Sequence, residues 1–323
     1  MIRALCLTGP TASGKTALSL FLAERLGCEI ISCDSMQIYR EMDIGTAKAT
    51  REEQARARHH MIDILSPSEN YSAEDYRRDA MAVAADIAAR GKLPLFVGGT
   101  GLYIDTVMRG GSAESPPSDA EVRAALMAEA EDVGGPDKLY ERLRTVDPEA
   151  AEKTHKNNLR RVVRALEIYE VSGKTKTYFD KLSREASPDV ALGMITLDFH
   201  NRDNLYRRVD KRVDEMIAMG LVNEVSSLYE RGLLKPDTTA AQAIGYKEIV
   251  TYIKGERSLE CAVEELKLSS RRYAKRQLTW FRHEADAVRL YVDFEDGRMK
   301  DIDTLTCEAQ DAARALLARE VIL

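Results

Sequence analysis

The first apolar run, Ile2 to Leu7, is short and is followed at once by Gly-Pro-Thr-Ala-Ser-Gly-Lys-Thr, which predicts a strand feeding a tight loop. Ala17 to Leu26 then carries apolar positions at helical spacing and stops at Gly27, a residue suited to end a helix. Glu29 to Ser32 reads as a second strand. Ala73 to Arg90 reads as a helix stopped by Gly91, and Leu93 to Val97 as a third, wholly apolar strand that closes on Gly98-Gly99-Thr100-Gly101. Strand, loop, helix and strand in this rhythm predict an α/β fold with a parallel sheet.

The middle of the chain has a different period. After Gly110-Gly111 and Pro116-Pro117, residues 119 to about 186 carry helical spacing, broken at Gly134-Gly135-Pro136, Pro148 and Gly173, and no strand pattern. Strand character returns at Ala191 to Phe199. One long helical pattern follows over residues 203–231, then a last strand at Arg289 to Phe294 and a closing helix from Ile302 to Arg319. The expected organisation is a core in two parts, residues 1–115 and 188–323, split by a helical insertion at 116–187.

Composition removes several classes. With 31% charged and 44% hydrophobic residues the chain is globular rather than disordered. No apolar run reaches the 18 or more residues of a membrane span, and the polar, Gly-rich turn after Leu7 does not suit a secretory leader. The five cysteines are odd in number and scattered without a CxxC. They predict reduced thiols, a cytoplasmic location and no zinc site. His59 and His60 read as packing or capping residues, and Trp280 with Phe281 as core.

Charge needs a closer count. Lys plus Arg is 47 against 53 Asp plus Glu, a net of −6 that by itself argues against a nucleic-acid partner. The charges are segregated, however. Residues 267–283 hold six basic and no acidic residues, 156–184 eight against three, and 202–212 five against two. The acids gather in 112–152 and 284–323. Binding follows the local field within a Debye length of about 8–10 Å, so an acidic total is compatible with an RNA-binding surface.

The chemistry begins with Gly9-Pro10-Thr11-Ala12-Ser13-Gly14-Lys15-Thr16, which matches G-x-x-x-x-G-K-[ST] between a strand and a helix. The glycines let backbone N–H groups converge on one anion, the helix adds its positive end, Lys15 supplies a point charge, and the Thr16 hydroxyl can hold Mg²⁺. The motif specifies a polyphosphate, not a nucleoside triphosphate. Asp34 follows the second strand at its C-terminal end, where α/β sites lie. It could hold a metal, act as a base, or cap a turn. Thr100 ends the third strand on the same edge. Arg208 and Arg212 are four apart on one helix face, which by spacing alone is a solvated basic face.

With these residues in view, the chain resembles the bacterial tRNA dimethylallyltransferases, also called tRNA isopentenyltransferases. The matching blocks are GPTASGKT (9–16), ISCDSMQIYREMDIGTAK (31–48), HHMIDI (59–64), YSAEDYRRDA (71–80), PLFVGGTGLY (94–103), RRVVRALEIYEVSGKT (160–175), QAIGYKE (242–248) and RYAKRQLTWFR (272–282). The resemblance implies a P-loop NTPase-like core with a helical insertion that contacts tRNA. It further implies transfer of a five-carbon group from dimethylallyl diphosphate to the exocyclic amine of adenosine 37, just 3′ of the anticodon.

Roles follow from the same resemblance. Gly9, Pro10, Thr11, Ala12, Ser13, Gly14, Lys15 and Thr16 cradle the diphosphate, with Arg208 added to them and Mg²⁺ held by Thr16. Asp34 takes the proton of the attacking amine and Thr100 orients the base. Ser35, Met36 and Gln37 meet nucleotides beside the flipped adenine. Arg123, Arg160, Arg161, Arg164, Gln242 and Lys247 are further tRNA contacts. The family often carries Gln where Arg160 stands, so a phosphate contact rather than a base-edge contact is implied there. The expected partners are a tRNA anticodon stem-loop and dimethylallyl diphosphate. No membrane and no obligate protein partner are expected, and the state is a monomer. Three rivals share part of the pattern. They are prenyl transfer to free adenine nucleotides, a small-molecule P-loop kinase, and a non-catalytic RNA-binding module, which leaves Lys15, Thr16 and Asp34 without a task.

Overall fold

The computed structural model describes residues 1–108, 115–185 and 189–318. The expected domain border at 187–188 and the helix end at Arg319 lie outside them. By compactness the chain divides into Met1–Met108 with Val190–Leu323, and Arg109–Asp189.

The larger unit opens with β1 (Ile2–Thr8), α1 (Lys15–Leu26), β2 (Cys28–Cys33), α2 (Arg51–Arg56), β3 (His59–His60), α3 (Ala73–Ala89), β4 (Leu93–Gly98) and α4 (Gly101–Met108). The smaller unit holds α5 (Ala120–Glu131), α6 (Gly135–Val146), α7 (Pro148–Glu152), α8 (Leu159–Ser172) and α9 (Lys176–Glu185). The larger unit resumes with β5 (Val190–Asp198), α10 (Arg202–Ala218), α11 (Leu221–Glu230), α12 (Tyr246–Ile253), α13 (Leu259–Phe281), β6 (Val288–Tyr291) and α14 (Ile302–Ala318).

The six strands form one sheet in the order β3-β2-β4-β1-β5-β6, and every pairing is parallel. A parallel sheet is buried on both faces, and the alternation of β1 shows it. Leu5 and Leu7 join α1 residues Leu18 and Leu22 on one side, while Ala4 and Cys6 join Tyr76, Ile87 and Ile104 on the other. A third apolar cluster builds on Tyr39, Met42, Val213, Leu221, Tyr246 and Leu266, which ties the segment after β2 to α10–α13. Helix α3 begins at a capping box, in which Ser72 Oγ accepts from Asp75 N and Asp75 accepts from Ser72 N.

The smaller unit is entirely helical over its described residues and has its own core of Leu126, Leu139, Leu143, Val162 and Leu166. No helix among the described residues is long and apolar enough to cross a membrane. All five cysteines are free thiols, and Cys6, Cys28 and Cys33 are buried.

Two expectations need correction, and one strand was not foreseen. The helical pattern over 203–231 is two helices, because Gly220 turns left-handed at φ +101 between them while the apolar period runs on across the break. Strand β3 spans two residues, too few to show any period. The last strand ends at Tyr291 instead of Phe294, because the buried Asp293 turns to accept from the N–H groups of His200 and Asn201.

Candidate active site in the core unit

The loop after β1 is built by backbone conformations that most residues avoid. Gly9, Ala12 and Gly14 all have positive φ, and Gly14 at +97 lets α1 start directly at Lys15. The Lys15 ammonium donates to the carbonyls of Gly9 (3.0 Å) and Pro10 (2.7 Å), bending back over its own loop. Burial, with Arg212 adding repulsion and Asp34 opposing it, pushes the Lys15 ammonium down to about 7. Ser13 is buried and its hydroxyl has no hydrogen-bond partner. A buried polar atom without a partner at a phosphate-binding loop is suited to an anionic oxygen. Thr16 stands on the first turn of α1 with its side chain exposed.

Asp34 follows β2 by one residue. Its Oδ1 accepts from Met36 N (2.9 Å), so the turn-capping role and the active-site position coexist in one carboxylate. Ser35 N–H donates to Thr100 Oγ1 (3.1 Å), and Thr100 N–H donates to Cys33 O. These bonds lock the β2 turn to the β4 turn. Gln37 has its amide fully engaged: Oε1 accepts from Ser32 Oγ, and Nε2 donates to the carbonyls of Thr46 and Ala47. Met36 packs on the third apolar cluster.

Strand order brings the two halves together. The neighbours run β2, β4, β1, so the Asp34 turn and the phosphate loop sit two strand spacings apart, on the order of 10 Å. All three loops leave the C-terminal ends of parallel strands, where such sheets open a crevice. A cleft of about 700 Å³ occupies that place, lined by Lys15, Thr16, Asp34, Arg208, Arg212 and Tyr273 among others.

Helix α10 supplies the cations. Arg208 Nε donates to Ala12 O at 2.7 Å, laying its guanidinium on the phosphate loop. Arg212 is half-buried four residues on, and burial lowers the proton affinity of both arginines. The face read as solvated is therefore a pocket wall. Helix α13 supplies Tyr273 and the buried Gln277, whose role the chain does not advertise. Gln277 lies 266 positions from Thr11, yet its Oε1 accepts from Thr11 N at 2.8 Å. The block that contains it marks the helix but assigns it no task. Glu224 is a second unforeseen residue. It accepts from the N–H groups of Asp43, Ile44 and Gly45 and from Tyr246 OH, which shapes the wall that Thr46 and Ala47 complete.

The remaining expected tRNA contacts divide. Gln242 and Lys247 are exposed and line the same cleft. In the helical unit, Arg160 and Arg161 are exposed on α8. Arg123 and Arg164 have another task. Glu167 is fully buried, and Arg123 meets it with two hydrogen bonds (3.0 and 2.8 Å) while Arg164 adds an ion pair at 3.0 Å. Arg164 also donates to the carbonyl of Pro117 at 2.7 Å. Both guanidiniums are committed to neutralising a carboxylate that burial would otherwise penalise. His59 and His60 bond Ala57 O and Glu29, both at 2.8 Å, and Phe281 is core with Trp280 packed edge-on at 5.0 Å.

Known proteins share this arrangement. Residues 37–284 match the family model described as IPP transferase. The chain is 48% identical over 282 residues to the tRNA dimethylallyltransferase of Thermoanaerobacter sp. (strain X514), covering 87% of this chain and 89% of that one. It is 50% identical over 279 residues to the enzyme of the same name from Geobacillus thermodenitrificans, covering 86% and 87%. Among solved structures, the full-length tRNA isopentenylpyrophosphate transferase of Bacillus halodurans superposes with a TM-score of 0.72 at 42% identity, over 98% of this chain and 97% of that one. A eukaryotic dimethylallyltransferase acting on tRNA gives 0.73 at 31% identity, over 90% and 74%. A phosphate loop, a carboxylate two strand spacings away across the crevice and matches of this extent lead to one conclusion: the chain belongs to the IPP transferase family.

Proposed function

We propose that the protein is a tRNA dimethylallyltransferase that moves the dimethylallyl group of dimethylallyl diphosphate to N6 of adenosine 37. The observation that carries this reading is one cleft joining a phosphate loop to a carboxylate two strand spacings away on the same edge of the sheet. The relatives named above carry the same activity in their names. In the reaction the bond from C1 to the leaving oxygen breaks and a bond from N6 to C1 forms. The negative charge leaves on diphosphate and one amine proton must be removed.

Each step has a residue suited to it. The loop N–H groups, Lys15 and Arg208 receive the charge that develops on the diphosphate, in a partly desolvated site where such interactions strengthen. The Ser13 hydroxyl is free to join them. Asp34 keeps Oδ2 available beyond its Met36 contact and serves as the base for the weakly nucleophilic amine. Thr100 holds that turn through Ser35. Mg²⁺ fits this donor set, since it is commonly held by few protein groups plus phosphate oxygens, and no cluster of three His, Cys, Asp or Glu is present among the described residues. Thr16 would hold the ion, which when bound would neutralise charge on the diphosphate.

The acceptor is an anticodon stem-loop of tRNA, contacted by Arg160 and Arg161 on the helical unit and by Gln242 and Lys247 at the cleft. The protein is proposed to act as a monomer in the cytoplasm, where its acceptor resides. The test is incubation with labelled dimethylallyl diphosphate, Mg²⁺ and either tRNA, AMP or ATP. Label should appear in tRNA at adenosine 37. Label in AMP or ATP but not in tRNA would overturn the reading.

A further inference from the structure

Gln277 holds together the two loops on which the proposed reaction depends. It projects from α13 with 6% of its surface exposed. One end of its amide accepts from Thr11 N–H (2.8 Å), in the phosphate loop after β1. The other end donates to Gly99 O (2.9 Å), in the turn after β4. Those strands are neighbours, with Thr8 opposite Gly98 where the two loops depart. A Cβ at Gly99 would displace the Gln277 amide from its present position, so glycine there accompanies the two hydrogen bonds.

The connection continues toward Asp34. Gly99 is followed directly by Thr100, whose N–H donates to the carbonyl of Cys33, the residue before Asp34. Thr100 Oγ1 accepts from Ser35 N–H, and Asp34 Oδ1 accepts from Met36 N–H. Hydrogen bonds joined by single backbone steps thus link the leaving-group loop, through the turn after β4, to the Asp34 turn. The Gln277 amide suits its central position, because one end must accept and the other must donate. Gln277 also takes Thr11 N–H away from the set of loop donors that face an anion.

We infer that Gln277 is a positioning residue that sets the distance between the diphosphate cradle and the Asp34 carboxylate, at the cost of one cradle donor. This inference rests on the proposed reaction. A misplacement of about 1 Å in such a site costs on the order of 10²-fold in rate. Releasing Thr11 N–H should leave anion binding intact or strengthen it. A residue with a purely structural role would lower the folded fraction and leave kcat per folded molecule unchanged.

The experiment uses the full chain with Gln277→Met, close in volume and lacking both hydrogen bonds, beside the wild type. Steady-state kcat and KM for dimethylallyl diphosphate with tRNA and Mg²⁺ are measured, together with calorimetric binding of inorganic pyrophosphate. The expected result is kcat lower by about 10²-fold, with KM within about threefold and pyrophosphate bound as well as or better than by wild type. Unchanged kcat overturns the inference, as does a KM raised more than about tenfold at constant kcat, since that would make Gln277 a binding residue. Should Gln277→Met fail to fold, Gln277→Glu carries the test. It keeps the acceptor for Thr11 but sets a carboxylate oxygen against Gly99 O, and the same criteria apply. A wild-type protein that modifies no tRNA would instead sink the functional reading.

Discussion

The phosphate cleft and the helical unit use the same residue type in opposite ways. Among the described residues Arg208 and Arg212 on α10 form no ion pair at contact distance, with Glu215 near both and Asp34 near Arg212 acting only through space, and they face a cleft that contains the phosphate loop. Arg123 and Arg164 face inward on Glu167, a fully buried carboxylate, and spend their donors there. All four are arginines on helices, and nothing in their spacing separates the two pairs. The difference teaches that an arginine's availability to a ligand is decided by whether an acid has claimed it. A buried acid makes that claim strongly, since an unpaired charge in the interior is costly.

The comparison separates loss of turnover from loss of fold. The largest effect should come from Asp34→Ala, expected to cut turnover by ~10²–10⁴ while tRNA affinity and melting temperature are largely kept. Single-turnover rates with saturating tRNA check this, and wild-type-like turnover would remove the base role. Lys15→Ala should follow, with a loss of about 10³-fold in kcat/KM for dimethylallyl diphosphate. A pH signature belongs to the same residue. Its ammonium is present below about 7 and lost above it, so the lysine's contribution to diphosphate affinity should fade as pH rises through 7. Pyrophosphate titrations of wild type and Lys15→Ala that stay equally far apart from pH 6 to 9 would contradict this.

In the helical unit the effect should be on stability. Glu167→Ala removes the carboxylate that Arg123 and Arg164 share and should cost about 1–3 kcal/mol in denaturant unfolding, with kcat per folded molecule kept. Burial pushes this carboxylate up, yet Arg123, the Asp119 N–H and Arg164 together hold it below its ordinary value. A folded-state value below the unfolded one means the stabilisation is present above about pH 4 and fades as pH falls further. Unchanged unfolding in Glu167→Ala would dissolve the contrast between the two regions. The smallest effect is expected for Arg160→Ala and Arg161→Ala. Each should weaken tRNA binding severalfold and reduce the slope of log affinity against log salt by about 1. A wild-type slope would assign the exposed arginines of α8 to bare surface.

Much of this site was legible in the chain because its parts are local. A strand, a glycine-permitted loop and a helix start specify the phosphate cradle within sixteen residues, and Gly9, Gly14 and Lys15 perform the turns their positions imply. Asp34 and Thr100 were placed because strand ends are readable from apolar runs. The α10–α11 break at Gly220 was hidden because one glycine interrupts the backbone without interrupting the apolar period. The tasks of Gln37, Arg123 and Arg164 were hidden because hydrogen-bond partners leave no trace in spacing.

The sequence by itself determined the α/β core, the helical insertion, the phosphate-loop motif and the family, since those rest on local conformation and on blocks of residues read in order. Tertiary structure alone decided which charges are available. It set β1 beside β4 and β4 beside β2, carried Gln277 across 266 positions to Thr11, and closed Arg123 and Arg164 on Glu167. The physical reason is that hydrogen bonds and burial act over a few ångströms of space and are indifferent to separation along the chain.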